Sequence, residues 1–365
     1  MGLTHYVYPG ALHTRFHHAL GAMHLMHEAI EVLRSKDVLI TPEEKEGALI
    51  AILLHDIGHG PYSHGLERML IRSHHEEISL AFMENLNKEF GGALNIAIQI
   101  FTGTYGKKFL NQLVSGQLDV DRMDYLKRDS FFTGVAEGVI GHDRIIKMLD
   151  IVDDRLVVEE KAFYSIEKFL MARRLMYWQV YLHKTVLAAE MMLRKLVERT
   201  RMLHSSGMKL NIPPSLKFFF SDEKTLNADL DPDDLLIRFA QIDDIDVIWL
   251  VKQLLECDDF VLSFLAKGIL NRNLHKCLLQ DASFDLGDIE SKKVEISKKL
   301  GIPIKDAGQL VFAGIEKTEA YSDSELEIKF KKKSGKVEML SELSNTGMLN
   351  EIIHKNFLCF PKIFD

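Results

Sequence analysis

The chain has 365 residues, 47% of them apolar and 27% charged, which is an ordinary balance for one large or two medium globular domains. No apolar run approaches the roughly 18–20 residues that span a bilayer, so no membrane segment is expected, and the opening MGLTHYVYPG lacks the basic and apolar regions of a signal peptide. The net charge of −8 argues against nucleic acid as a partner, and the three widely spaced cysteines, Cys257, Cys277 and Cys359, argue against a disulfide framework or zinc knuckle and fit a reducing cytoplasm.

Residues 15–34 place Phe16, Leu20, Met23, Met26 or His27, Ile30 and Leu33 at helical spacing. TPEEKEGALIAILLHDIG opens on Thr41, Pro42 and Glu44, a capping box with proline at the first helical position. Its helix is apolar nearly all round and should lie in the core, ending near Gly58 and Pro61. Further helices are expected at about 75–90, 93–101, 107–114, 119–130, 142–150, 161–203 (as one or two), 232–240, 244–255, 258–267 and 286–300. The tail differs: LVFAGI, LEIKFKKKSGKVEML and FLCF read as short strands, with Ser334-Gly335 as a hairpin turn and Lys331–Lys333 as a solvated strand edge. The fold class expected is mainly α, with a catalytic helical core over 1–215, a helical extension over 216–289 and a smaller α+β lobe over 290–365.

Eleven of the 16 histidines fall in the first 75 residues. Histidine is the commonest metal ligand and titrates near neutrality, so such clustering points to a metal or acid–base centre. In LLHDIGHGPYSH, His55 and Asp56 end the buried helix. Adjacent helical residues point about 100° apart, so both reach one ion only near the helix end. His59 lies four residues after His55 on the same face, and His64 follows the Pro61 turn. Upstream, RFHHALG offers His17 and His18. Downstream, LDVDRMDYLKRD carries Asp119, Asp121, Asp124 and Asp129, with Asp121, Tyr125 and Asp129 in one stripe and Arg122 beside it. Mixed imidazole and carboxylate ligands suit a divalent ion and leave positions open to water.

The ordered pattern H…HD…D resembles the HD-domain metal-dependent phosphohydrolases. YPGALHTRFHHALG, LLHDIGHGPYSH, HHEE and LDVDRMDYLKRD are similar to their deoxynucleoside triphosphate triphosphohydrolase branch, over about residues 6–130 and more weakly through RRLMYWQVYLHK. The resemblance implies an HD-domain helical core with its motifs in 13–130 and metal ligands His18, His55, Asp56 and Asp121. The divalent ion could be Mn, Mg, Fe, Ni or Zn. It implies phosphate or acid–base roles for Arg15, His59, His64, Arg122 and Tyr125, with His75 as the catalytic histidine and Glu67 as its acidic partner. A carboxylate bound to one imidazole nitrogen orients the ring and favours its protonated form, which can protonate a leaving nucleoside oxygen. Asp129, Arg173 and Tyr181 match sugar- and phosphate-contacting positions. The implied reaction takes a dNTP to a deoxynucleoside and inorganic triphosphate; a nucleotide activator and homo-oligomerisation are expected on the same ground.

His17 is read as a neighbour of the ligand His18, His24 and His27 as structural, His74 as the spare beside His75, and Asp119 and Asp124 as helix cap and surface salt-bridge residues. His17 stands where the family commonly has an acidic residue. Relatives carry an arginine-rich segment before LGLTHYVYPG, a stretch within which this sequence starts. Two alternatives stand beside the leading one: an HD phosphohydrolase acting on a monophosphate, cyclic nucleotide or alarmone, and a nucleotide-binding regulator with weak activity.

Overall fold

The structure, a computed structural model, describes residues 2–67, 69–71, 73–220, 232–318, 327–343 and 353–362. Helix α1 (Arg15–Ser35) begins where Thr14 and His17 cap each other, the His17 backbone N–H donating to Thr14 Oγ1 and the Thr14 N–H donating to His17 Nδ1. The His17 imidazole is thus occupied at the surface. The buried face of α1 is His18, Ala22, Leu25, Met26, Ala29, Ile30 and Leu33. Phe16 and Leu20, expected on that face, are exposed instead, because turning His18 inward rotates them to the opposite side.

Helix α2 (Pro42–Leu54) has the expected capping box, with Thr41 and Glu44 bonded reciprocally at 2.8 and 3.2 Å. There follow α3 (His75–Glu89), α4 (Asn95–Phe101), α5 (Lys108–Val114), α6 (Val120–Thr133) and α7 (His142–Lys147). The helix expected over 142–150 stops early. LDIVDDRLVVE is a hairpin of β1 (Leu149–Val152) and β2 (Arg155–Glu159), since Asp153 and Asp154 turn left-handed and the flanking β-branched residues favour strand. The stretch 161–203 is two helices, α8 (Phe163–Met176) and α9 (Lys184–Ser205), joined by a π-helical turn, Tyr177–Tyr181. Such turns recur at functional sites.

The chain continues through α10 (Pro214–Lys217), α11 (Pro232–Ala240), α12 (Asp244–Gln253), α13 (Phe260–Leu270), β3 (Lys276–Gln280), α14 (Leu286–Leu300), α15 (Ile304–Leu310) and β4 (Phe312–Thr318). The last elements are β5 (Lys329–Lys331), β6 (Val337–Met339), α16 (Leu340–Leu343) and β7 (Ile353–Phe360). Among the described residues two small sheets form, in the orders β1-β2-β5-β6 and β3-β7-β4. The β5–β6 hairpin, with Gly335 at φ 85° in its turn, continues the β1–β2 hairpin through parallel pairing of Val158 with Phe330. The tail therefore shares its sheets with residues 149–159 and 276–280.

Apolar burial divides into two main cores. The first joins α1, α2 and α4 to α8, with Phe330 inserted from the tail. The second joins α9 and α11 to α13 with Tyr62, Leu66 and Leu70 from the segment between α2 and α3. No described helix is long and apolar enough to cross a membrane.

Candidate active site

Three helices bring ligand-type side chains to one point. His18 sits in the first turn of α1, His55 and Asp56 at the end of α2, and Asp121 in the first turn of α6. His18 Nε2 lies 3.0 Å from Asp121 Oδ1 and 4.0 Å from Asp56 Oδ2. His55 Nε2 lies 3.4 Å from Asp56 Oδ1 and 3.5 Å from Asp121 Oδ1. Ligand atoms of His18, His55 and Asp56 all fall within 4.8 Å of one another, close enough to share one ion.

Each imidazole is held from behind by its other nitrogen. His55 Nδ1 donates to the Ile52 carbonyl at 2.6 Å and His18 Nδ1 to Asp124 Oδ2 at 2.7 Å. Both rings thus present Nε2 inward, which is how protein surroundings fix a metal-binding tautomer. His55 Nε2 is buried and makes no hydrogen bond among the described residues. A buried orphan lone pair facing two carboxylates fits a divalent cation. Electrostatics agree. Burial alone would lower the His18 imidazole, but hydrogen bonds to Asp121 and Asp124 outweigh it and hold it up to about 10. Burial likewise opposes the shift at His55, where the neighbouring Asp121 and Asp56 carboxylates raise it. Burial would raise Asp121, yet the two imidazoles pull it well below the usual carboxylate range. The cluster demands positive charge, which a proton or a metal ion can supply.

Asp124 corrects the sequence reading: it is buried, not a surface salt-bridge residue. Besides His18 it accepts from Arg128 Nε and Nη2 at 2.8 and 2.9 Å. Gly21 makes room for it, since a Cβ there would lie 2.0 Å from Asp124 Oδ1. Asp119 is the cap of α6, accepting the Arg122 N–H at 2.7 Å, and it also binds the Arg122 guanidinium. His74 is the N-cap of α3. His24 and His27 are exposed, His24 lying 3.4 Å from Glu28.

A second group adjoins the first. His75, the first residue of α3, donates from Nδ1 to Glu67 Oε1 at 2.7 Å. The His59 ring stacks on it at 3.8 Å between centroids and 13° between planes, and His59 Nε2 lies 3.6 Å from Asp56 Oδ1. Asp56 is therefore shared by both groups. Gly58 allows this closeness: a Cβ there would lie 2.2 Å from the His75 carbonyl oxygen and 2.4 Å from the Ser79 nitrogen. Buried Ser79 ties the helices together, accepting the Gly58 N–H at 2.9 Å and donating to the His55 carbonyl at 2.8 Å. Arg15 reaches across, donating from Nη1 to Asp56 and from Nε to Ser63 Oγ at 2.9 Å. The His64 side chain lies outside the described residues.

Further along the same stripe of α6, Tyr181 donates to Asp129 Oδ2 at 2.6 Å, and its ring centroid lies 6.4 Å from that of Tyr125. Burial pushes the Tyr125 hydroxyl up to about 12. Arg173 donates to Gln117 at 3.4 Å. Sequence reasoning missed His13, a half-buried residue whose side chain is covered, bonded to Asp129 Oδ1 at 2.7 Å and stacked on Phe132. Its partner is 116 positions away, so no local pattern marks it.

Helices that converge a lone histidine, a His-Asp pair and a later aspartate on one point define an HD-type domain. The HD domain family model matches residues 15–129, and that of the HD associated region matches residues 140–210. A crystal structure of a phosphohydrolase from Bacteroides thetaiotaomicron VPI-5482 superposes with a TM-score of 0.93 at 46% identity, covering 99% of this chain and 91% of that one. The chain belongs to the HD-domain phosphohydrolase family. HD domains bind divalent metal ions. Among sequence relatives, an uncharacterized protein of Bacillus subtilis (strain 168) is 30% identical over 281 residues, 75% of this chain and 63% of that protein. The deoxynucleoside triphosphate triphosphohydrolase SAMHD1 homolog of Dictyostelium discoideum is 29% identical over 213 residues, 53% of this chain and 41% of its own length. The chain thus spans less than two thirds of these relatives.

Proposed function

We propose that this site hydrolyses deoxynucleoside triphosphates to a deoxynucleoside and inorganic triphosphate. The observation that carries the reading is the His75–Glu67 pair, stacked through His59 against the carboxylate that the metal-fitting cluster shares. It sets a proton-handling imidazole beside phosphate-binding groups. The ion that His18, His55, Asp56 and Asp121 would hold supplies Lewis-acid stabilisation of phosphate oxygens and a more acidic water. Glu67 holds Nδ1 of His75 and so orients the ring, and the imidazole passes a proton to the departing nucleoside oxygen. Arg15, Arg122, His59 and His64 bind phosphate oxygens, the arginines through charge-assisted hydrogen bonds. Tyr125, Asp129 and Tyr181 receive the sugar, with Arg173 at the phosphate edge. The name of the Dictyostelium relative supports this substrate class. Incubation with each dNTP and Mn²⁺ should release inorganic triphosphate. Pyrophosphate or a nucleoside monophosphate as the sole phosphorus product overturns the reading.

A further inference from the structure

Between His59 and His64 the backbone does something costly. Tyr62 and Ser63 take φ values of 55° and 51°, two consecutive left-handed residues of types that rarely adopt that region. Strain of this kind persists only where the surroundings over-determine it, and it concentrates at functional sites. The surroundings here are specific. The Tyr62 N–H donates to Asp244 Oδ1 at 2.8 Å, across 182 positions, and the Tyr62 side chain is buried in the second core. Ser63 Oγ accepts from Arg15 Nε, and the Arg15 guanidinium donates onward to Asp56.

Asp244 is not needed for its own helix. Asp243 caps α12, accepting the Ile245 and Asp246 N–H groups. Asp244 lies exposed in the first turn, with its carboxylate turned to another part of the chain. The chain of contacts runs from Asp244 through the Tyr62–Ser63 turn to Arg15 and on to the ligand carboxylate Asp56. If the turn relaxed to a right-handed or extended conformation, Ser63 Oγ would leave Arg15 Nε and the guanidinium would lose one of the two bonds that hold it.

We propose that Asp244, Tyr62 and Ser63 form a strained clasp that positions Arg15 for phosphate binding, with Asp244 as a positioning residue supplied by the helical extension. The clasp rests on the reading of Arg15 as a phosphate contact. Its test is binding of inorganic triphosphate to the Mn²⁺-loaded full chain by isothermal titration, with Mn²⁺ affinity measured separately. Asp244→Ala should weaken triphosphate binding about tenfold or more, as loss of a positioning contact does, and leave Mn²⁺ affinity unchanged. Asp244→Asn keeps an oxygen for the Tyr62 N–H and should bind within about twofold of wild type. In an Arg15→Ala background, Asp244→Ala should add nothing, because both act on one group. Wild-type binding by Asp244→Ala, no recovery in Asp244→Asn, or losses that multiply in the double variant would each overturn the clasp, as would failure of the wild-type protein to bind triphosphate. If the clasp pattern appears but no dNTP yields triphosphate, the clasp stands and the proposed reaction falls.

Discussion

Replacing Asp124 by asparagine tests how the site prepares His18 for an ion. Asp124 contacts no proposed substrate group; it holds His18 Nδ1 at 2.7 Å and binds Arg128 through both oxygens at 2.8 and 2.9 Å. All three contacts are donor-to-carboxylate. Asparagine has one acceptor oxygen and an NH₂ group, so one partner must face a donor. If the amide oxygen takes the Oδ2 position it keeps His18 Nδ1 and Arg128 Nε and the NH₂ opposes Arg128 Nη2; if it takes the Oδ1 position the NH₂ faces His18 Nδ1, and the imidazole loses its anchor and can turn Nε2 away from Asp121 and Asp56. Losing a carboxylate behind a ligating histidine typically weakens metal affinity about 10–100-fold, or roughly 1.4–2.7 kcal/mol. Mn²⁺ affinity measured by competition with a chelating dye should fall by that amount while circular dichroism stays unchanged. Gly21→Ala should act in the same direction, since its Cβ would lie 2.0 Å from Asp124 Oδ1 and 2.1 Å from Arg128 Nη2. Asp124→Asn with a dissociation constant within about twofold of wild type would refute the argument that this carboxylate pre-orients the ligand.

Other perturbations separate proton transfer, packing and acid stability. His75→Ala should lower dNTP turnover roughly 10²–10⁴-fold, the usual contribution of a positioned acid. The loss should shrink for a p-nitrophenyl phosphoester, whose leaving group needs no proton; equal losses on both substrates would exclude the role. Gly58→Ala forces a Cβ against backbone atoms of α3 at 2.2 and 2.4 Å and should cost about 1–3 kcal/mol or more in urea unfolding. His275 is buried, with its ring centroid 5.4 Å from that of Phe312, and burial pushes its imidazole down to about 3. The unfolded chain therefore binds one more proton than the folded one between its ordinary value near 6.5 and about 3. From that residue stability is intact above 6.5 and falls by roughly 1.4 kcal/mol per pH unit below it. A flatter acid limb of the melting temperature for His275→Phe would bear this out, and an unchanged limb would contradict it.

The elements legible in the sequence are those whose determinants are local. Apolar periodicity and the Thr41–Glu44 capping box marked α2, and the ordered motifs pointed to His18, His55, Asp56 and Asp121, which the structure gathers. Local signals failed where the deciding partner is distant. Two helical stripes run through α6: Asp121, Tyr125 and Asp129, and Asp121, Asp124 and Arg128. Spacing alone cannot rank them, because what puts Asp124 behind the metal cluster is His18, 106 positions earlier. His13 with Asp129 and Tyr62 with Asp244 are illegible for the same reason. The β1–β2 hairpin was obscured by its apolar continuation from α7, its turn resting on two aspartates that accept left-handed backbone.

The two cores divide the support of the site between them. The metal-fitting residues hang from α1, α2 and α6, whose buried faces belong to the first core. Glu67 and the Tyr62–Ser63 turn lie among Tyr62, Leu66 and Leu70, which belong to the second, and α3 straddles both, with Ile78 in the second and Met83 in the first. Asp56 and His59 lie at the seam. The metal-fitting cluster and the His75–Glu67 pair are therefore supported by different packing, and damage to one should not spread evenly to the other. Phe239 is the place to look, since it belongs to the second core and lines the small cavity beside Glu67 and His75. Phe239→Leu changes volume modestly and should cost about 1 kcal/mol or slightly more in stability. Turnover should fall several-fold through displacement of the His75–Glu67 pair, with Mn²⁺ affinity retained. A parallel loss of metal affinity and turnover would mean that the two halves move as one unit.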